Sequence, residues 1–175
     1  NASVAQSVTL DINDLDDAAP TVTSGATAVA IVENSGAGQV IYTATSTDLD
    51  DDVSDTPIAY SLAEGSDSEL SIDTLTGEVT LATNPDHETQ SQYSFAVIAT
   101  DAAGNASEAQ AVILDINNLD DTAPTITSVE LVNVDEDIRA NQVVYTATAD
   151  DSAEVSGGVT FSLAAGSDSA LSIDS

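Results

Sequence analysis

The acidic residues of this 175-residue chain are the best candidates for a binding site, because almost no basic residues accompany them. Thirty-one Asp and Glu residues stand against one Lys or Arg, so the formal net charge at pH 7 is -30. The densest stretch is 114–124, LDINNLDDTAP, which crowds Asp115, Asn117, Asp120 and Asp121 together. Calcium takes about six to eight oxygen ligands of this kind in irregular geometry. The stretch therefore predicts a calcium site.

The same stretch recurs earlier in the chain and divides it into repeats. Residues 10–20 read LDINDLDDAAP, 104 positions before the later copy. Residues 1–10, NASVAQSVTL, match 105–114, NASEAQAVIL, at the same offset. We call 10–20 and 114–124 the first and second connectors. The predicted divisions are 1–19, the last strand and linker of a preceding repeat; 20–123, a complete repeat with its linker; and 124–175, the N-terminal part of the next repeat.

Further acidic residues recur in turns that should reach the connectors. Consecutive turns of an antiparallel sandwich fall at alternate ends, so the acidic turns can be sorted by end. The predicted metal ligands are Glu33, Asp86 and Glu88, facing the second connector; Asp48, Asp50 and Asp101, facing the first; Asp11, Asn13, Asp14, Asp16 and Asp17 in the first connector; Asp115, Asn117, Asn118, Asp120 and Asp121 in the second; and Glu136, Asp150 and Asp151 in the last repeat.

Simpler interpretations of these acidic residues stand beside the metal hypothesis. Asp and Asn favour turns through local hydrogen bonding alone, and an acidic surface can be an adaptation to salt. Asp51, Asp52 and Asp55 fit solvated loop charges better than ligands. His87, the only histidine, could take part in a zinc site, but a lone histidine is a poor zinc site.

The elements that must position these turns are short strands. Apolar residues alternate with polar ones, no stretch keeps a helical period over three turns, and Val, Thr, Ile and Tyr favour pleated structure. We predict an all-β, two-layer antiparallel sandwich of about 100 residues. The predicted strands are 21–27, 28–32, 39–47, 58–62, 70–72, 78–81, 93–100 and 109–116. The predicted core is Val29, Ile31, Val40, Tyr42, Tyr60, Leu62, Leu70, Ile72, Val79, Leu81, Tyr93, Phe95, Val97 and Ile113.

Composition excludes several classes of function. A net charge of -30 repels nucleic acid and anionic membrane surfaces. The chain has no cysteine and no apolar run near the roughly 20 residues that span a bilayer, so we expect no disulfide and no membrane insertion in this segment. No serine nucleophile can be placed beside the single histidine. We expect the chain not to be an enzyme.

Five motifs in order resemble the cadherin family. They are VEN at 32–34, TDLD at 47–50, PDHE at 85–88, TDAAGN at 100–105, and DIND and DINN in the connectors. The connectors are longer than the family linker, and His87 stands where the family has arginine. The resemblance implies seven-strand Greek-key cadherin or immunoglobulin-like sandwiches in tandem, joined by calcium-binding linkers.

The repeat period, the missing cysteine and the acidity are most similar to the extender repeats of large bacterial RTX-type surface adhesins. This resemblance implies a calcium-rigidified extender that mediates cell adhesion at the extracellular bacterial surface. Expected partners are neighbouring repeats in the same chain, with head-to-tail or homophilic contacts between chains. A head-to-tail contact would seat residues 1–12 of one chain on the last repeat of another. The alternative functions are a carbohydrate-binding cadherin-like module that recognises polysaccharide, or a fibre subunit that assembles by homophilic or head-to-tail contacts.

Overall fold

The computed structural model describes residues 1–12, 15–49, 57–137, 139–152, 155 and 157–174. Asn13, Asp14 and Asp50, three of the predicted ligands, lie outside the described residues, as do Asp51, Asp52 and Asp55. The chain divides into two compact units, Asn1–Ile116 and Asn117–Ser175. Every regular element among the described residues is a β-strand. No helix able to cross a membrane is found in the described part of the chain.

The first unit is a two-layer sandwich, which confirms the predicted all-β fold class. One sheet has the strand order β2-β9-β8-β5 and the other the order β3-β7-β6, while β1 pairs with β4. The strands are β1 (Thr21–Val22), β2 (Ile31–Val32), β3 (Gln39–Thr43), β4 (Ser46–Thr47), β5 (Ala59–Leu62), β6 (Leu70–Ile72), β7 (Glu78–Leu81), β8 (Gln92–Thr100) and β9 (Gln110–Asn117).

The core lies between the two sheets and is built by strict alternation. Tyr93, Phe95 and Val97 of β8 are buried, and every second residue of β9 from Val112 onward is buried as well. The ring of Phe95 packs edge-on against that of Tyr42 in the opposite sheet, with centroids 5.5 Å apart. Burying each large apolar side chain contributes roughly 1.5–3 kcal/mol. This core fixes the positions of the loops at both ends.

Three of the core predictions are wrong because the residues are exposed, each for a local reason. Val40 is exposed because the register between β3 and β7 shifts at Ile41, and this bulge turns Ile41 and Tyr42 inward together. Ile113 lies on the outer face of the sheet because the inward residues of β9 are its neighbours Val112 and Leu114, followed by Ile116. Val29 is exposed because Ala28, which donates its N–H to Ile113 O at 2.8 Å, is the inward residue at the edge of β9.

Residues 1–12 form no strand in the structure, and Val4, Val8, Leu10 and Ile12 are exposed. Their sequence copy, β9, lies between β2 and β8 and hydrogen-bonds to both neighbours. A strand needs such a neighbour for its backbone groups, and no described strand pairs with residues 1–12. The assignment of this segment to a preceding repeat stays a prediction.

The described residues of the second unit contain β10 (Thr125–Ile126) and β11 (Ala149–Asp150), which pair antiparallel. This pair reproduces the β1–β4 pair of the first unit. Thr127 N–H donates to Thr148 O at 2.8 Å, as Thr23 N–H donates to Thr45 O at 2.8 Å, and in both pairs the threonine hydroxyls lie 3.0 Å apart. The repeated sequence therefore folds in the same way at this point.

Candidate metal sites

Two groups of three carboxylates gather in the first unit. The Glu33 cluster consists of Glu33, Asp86 and Glu88, and the Asp101 cluster consists of Asp16, Asp48 and Asp101. In each cluster one oxygen from every residue lies within 4.8 Å of the other two. The Asp86–Glu88 loop precedes β8 and Asp101 follows it, and a nine-residue strand spans about 30 Å. The clusters therefore lie at opposite ends of the unit.

Glu33 is placed by the turn that ends β2. It is 2% exposed, and its Oε2 accepts a 2.8 Å hydrogen bond from the backbone N–H of His87. Asn34, the next residue, has a φ of 57°, a left-handed conformation that asparagine tolerates better than most residues. The turn directs the Glu33 side chain inward beneath the loop that precedes β8.

The turn and that loop are joined by several hydrogen bonds. The N–H of Asn34 donates to Pro85 O at 2.9 Å, and Asn84 Nδ2 donates to Asn34 Oδ1 at 3.1 Å. The N–H of Gly36 donates to Asn84 Oδ1 at 2.8 Å. These bonds fix the distance between Glu33 and the two acidic residues of the loop.

Asp86 is held in its charged form by its own turn. Its Oδ1 accepts the N–H of Thr89 at 2.8 Å and its Oδ2 accepts the Thr89 hydroxyl at 2.9 Å. The backbone bond from Thr89, followed by the hydroxyl bond, lowers the pKa of Asp86 below its ordinary value. Glu88 Oε1 lies 3.4 Å from His87 Nδ1. The cluster therefore combines an ionised aspartate with a buried glutamate.

The Asp101 cluster joins the first connector to two loops of the sandwich. Asp48 comes just after β4, Asp101 follows β8, and Asp16 belongs to the connector. All three residues are half-buried, and Oδ1 of Asp16 has less than 1 Å² of accessible surface. A segment that precedes the sandwich thus places a carboxylate against its end.

Asp101 is fixed by the tight turn that it opens. Its Oδ1 accepts the N–H groups of Gly104 at 2.7 Å and Asn105 at 2.8 Å, and its Oδ2 accepts Asn105 Nδ2 at 2.9 Å. Gly104 has a φ of 98°, which favours glycine. Burial raises the pKa of Asp101, but the bonds from Asn105 and Gly104 together outweigh it and lower the pKa below its ordinary value.

Three carboxylates at such short range repel one another, and a buried carboxylate is costly without a compensating charge. The sequence has a single Lys or Arg, Arg139, which belongs to the second unit. An ion about 2.4 Å from each oxygen can join oxygens up to about 4.8 Å apart, and the carboxylate oxygens of both clusters lie within that limit. The donors are all oxygen, which suits calcium, whereas structural zinc sites favour nitrogen and sulfur.

The comparisons with known proteins identify the family to which this fold belongs. A model of the cadherin domain matches residues 27–117, slightly more than half of the chain. The chain belongs to the cadherin family. Human Protocadherin Fat 1 is 28% identical over 174 residues, which are 97% of this chain and 4% of Fat 1. The chain thus spans only a small part of this curated relative.

Solved cadherin structures share the fold. Mouse Cadherin-23 EC22-24 has 25% identity and a TM-score of 0.61, and the match covers 78% of this chain and 45% of that one. The cis-dimer structure of Protocadherin gammaB7 EC3-6 has 22% identity and a TM-score of 0.65, with coverage of 78% and 36%. The predicted resemblance to cadherins is confirmed at the level of family and fold.

The other predicted carboxylate ligands in the part of this cadherin that the structure describes belong to neither cluster. Asp115 accepts a hydrogen bond from Gln92 Nε2 at 2.8 Å, and Asp120 Oδ2 accepts the N–H of Gly157 at 3.4 Å. Asp150 accepts the N–H of Ser152 at 3.0 Å, and bonds from Ser152 lower the pKa of Asp150. The remaining described carboxylates outside both clusters are those of Asp11, Asp17, Asp121, Glu136 and Asp151. The assignments of Asn117 and Asn118 as ligands stay predictions.

Asn105 is the functional candidate that the pattern of acidic residues does not reveal. It is part of the TDAAGN motif, but it carries no charge and does not belong to either cluster. The only signal in the sequence is its position just beyond Gly104, where a tight turn brings side chains back onto the residue that opens the turn. The structure shows that its amide contacts both Asp101 and the connector.

Proposed function

We propose that this cadherin chain is a calcium-rigidified extender segment of a cell-surface adhesive protein. The observation that carries the proposal is the pair of carboxylate clusters at opposite ends of one sandwich. A unit that binds ions at both ends can be joined stiffly to neighbours on both sides. Such a role is mechanical and involves no catalysed reaction.

Glu33, Asp86 and Glu88 would hold calcium at one end, and Asp16, Asp48 and Asp101 at the other. Bound calcium would supply positive charge, which cancels the repulsion among the carboxylates. The oxygen donors, their spacing and the shortage of basic residues support this assignment. The waters and carbonyl oxygens that calcium commonly adds would complete its six to eight ligands.

Rigidity follows from the composition of the Asp101 cluster. Asp16 belongs to the connector, while Asp48 and Asp101 belong to loops fixed by the core. An ion shared by the three would cross-link the connector to the sandwich. Without the ion the same charges repel, which favours a connector that leaves the sandwich at variable angles.

Small-angle X-ray scattering of the chain tests this role. In millimolar calcium we expect a longer maximum dimension and a narrower distribution of interatomic distances than in chelator. Sodium chloride at matched ionic strength is the control, because it screens charge without bridging carboxylates. An unchanged or more compact distribution in calcium would reject the extender function.

We also propose that the longer protein is a bacterial RTX-type adhesin at the extracellular surface. The near-identical connectors 104 positions apart, the absence of cysteine and the net charge of -30 support this context. The family model and the relatives support only the broader role of an adhesion module outside the cell. Sequencing the flanking gene would test the proposal by showing whether more repeats follow.

Homophilic contact is the second candidate function. The Protocadherin gammaB7 EC3-6 structure is a cis-dimer, and this self-assembly of a similar cadherin supports the candidate. Polysaccharide recognition has less support, because Tyr42, Tyr93 and Phe95 are buried and cannot form a platform for a sugar ring. Sedimentation equilibrium with calcium tests homophilic contact, and a glycan array tests recognition of polysaccharide.

A further inference from the structure

The side-chain amide of Asn105 connects the connector to the sandwich. Its Nδ2 donates one hydrogen bond to Asp101 Oδ2 at 2.9 Å and another to the backbone oxygen of Asp16 at 3.3 Å. An amide nitrogen carries two N–H groups, so both are used. One bond holds a carboxylate of the Asp101 cluster, and the other holds the main chain that carries a second carboxylate of the same cluster.

The position of Asn105 is set by β8 and not by the connector. Its N–H donates to Asp101 Oδ1 at 2.8 Å, and its carbonyl oxygen accepts the N–H of Asp101 at 3.1 Å. Two residues later, Ser107 binds Ala99 of β8 through both its N–H, at 2.8 Å, and its Oγ, at 3.0 Å. The amide of Asn105 is therefore anchored on a strand whose inward residues lie in the core.

We propose that Asn105 is a positioning residue for calcium binding at the Asp101 cluster. By bridging Asp101 and the main chain at Asp16, it favours, against the repulsion among the carboxylates, the arrangement in which the connector carboxylate lies beside the two loop carboxylates. Without this bridge, calcium binding would have to order the connector as well as join the ligands, and its affinity would fall. The inference rests on the calcium function proposed above.

Two backbone amides report separately on the two clusters. The N–H of Gly104 donates to Asp101, and the N–H of His87 donates to Glu33. We would monitor a calcium titration of the full chain by two-dimensional ¹H–¹⁵N NMR. The shift of each amide then gives the calcium concentration at the binding midpoint of its cluster. The test variant is Asn105→Ala, and the matched control is Asn84→Ala, which removes an asparagine that bridges loop segments beside the Glu33 cluster.

We expect Asn105→Ala to raise the calcium midpoint seen at Gly104 by about tenfold, the lower end of the effect of removing a residue that orients metal ligands. The midpoint at His87 should stay unchanged. In Asn84→Ala the midpoint at Gly104 should stay unchanged. Asn105→Leu keeps a branched side chain of similar size but has no N–H to donate, and it should raise the Gly104 midpoint as Asn105→Ala does.

The outcomes separate this inference from the function on which it rests. If calcium does not shift the Gly104 amide of the wild-type chain, the calcium function fails at this cluster. If the wild type binds but both Asn105 variants keep its Gly104 midpoint, the positioning role is overturned and the calcium function stands. An equal rise of both midpoints in both Asn105 variants also overturns it, because the effect would then be on the fold as a whole.

Discussion

The backbone N–H of His87 donates a 2.8 Å hydrogen bond to Oε2 of Glu33, whose side chain is 2% exposed. Hydrogen bonding from neutral N–H groups offsets only part of the cost of burying a carboxylate. Two further carboxylates approach within 4.8 Å and add repulsion. Glu33 is therefore the residue at which the stability of the fold should depend most on a bound cation.

Replacing Glu33 with glutamine should stabilise the protein in chelator and destabilise it in excess calcium. In chelator the variant should melt at a higher temperature than the wild type, because the buried charge is gone and an oxygen acceptor remains for His87. In excess calcium the ion should bind about tenfold more weakly. A tenfold loss of affinity removes about 1.4 kcal/mol of ligand-linked stability.

Thermal melting with and without calcium measures both effects. Glu78→Gln is the matched control, because Glu78 is an exposed residue of β7 outside both clusters. It should change the melting temperature little in either condition. A variant Glu33→Gln that loses none of the calcium-dependent rise would show that Glu33 is not a ligand.

The turn at Asp86 should make a contribution to stability that depends on pH. Bonds from Thr89 lower the pKa of Asp86, so its stabilising effect is complete above the unfolded value of about 4 and is lost as pH falls through the lower folded value. Thr89→Val removes the hydroxyl bond and should destabilise the calcium-free protein at neutral pH. Urea unfolding at several pH values should show this difference shrinking below about pH 4, and a difference that grows there would contradict the assignment.

The turn between β6 and β7 should not tolerate a side chain at Gly77. A Cβ there would lie 2.7 Å from Ala44 O, and the φ of 70° is itself unfavourable for other residues. We expect Gly77→Ala to lower the free energy of unfolding by about 2 kcal/mol. Gly25→Ala is the control, since no atom lies within 4 Å of its added Cβ, and comparable losses in the two variants would refute this explanation.

Several strands of the first repeat could be predicted because alternation and turn residues are local signals, but the predicted strand 39–47 is two strands, β3 and β4, and only two residues each of the predicted strands 21–27 and 28–32 are in strands. The predicted limits of β6 and β7 match the structure, and those of β8 differ by one residue. The bulge at Ile41 could not be predicted, because it depends on how β3 meets β7. Which face of β9 is buried could not be predicted either, because both of its faces carry apolar residues.

The candidate site was predictable in its residue types but not in its contacts. Acidic residues in turns indicated Glu33, Asp86 and Glu88, and the structure brings these three together. The sequence does not reveal that Glu33 is buried or that Asp16 is the connector residue that joins Asp48 and Asp101. These features depend on contacts between segments far apart in the chain, such as the bond from Asn105 to Asp16.

Diffraction from crystals of the chain grown in calcium tests the central claim most directly, with anomalous scattering to identify the ions. We expect anomalous peaks about 2.3–2.6 Å from oxygens of Glu33, Asp86 and Glu88, and a second set at the same distances from oxygens of Asp16, Asp48 and Asp101. Crystals grown in chelator should lack these peaks. If saturating calcium produces no anomalous peak at either cluster, the carboxylates are not calcium ligands and the proposed extender mechanism is wrong.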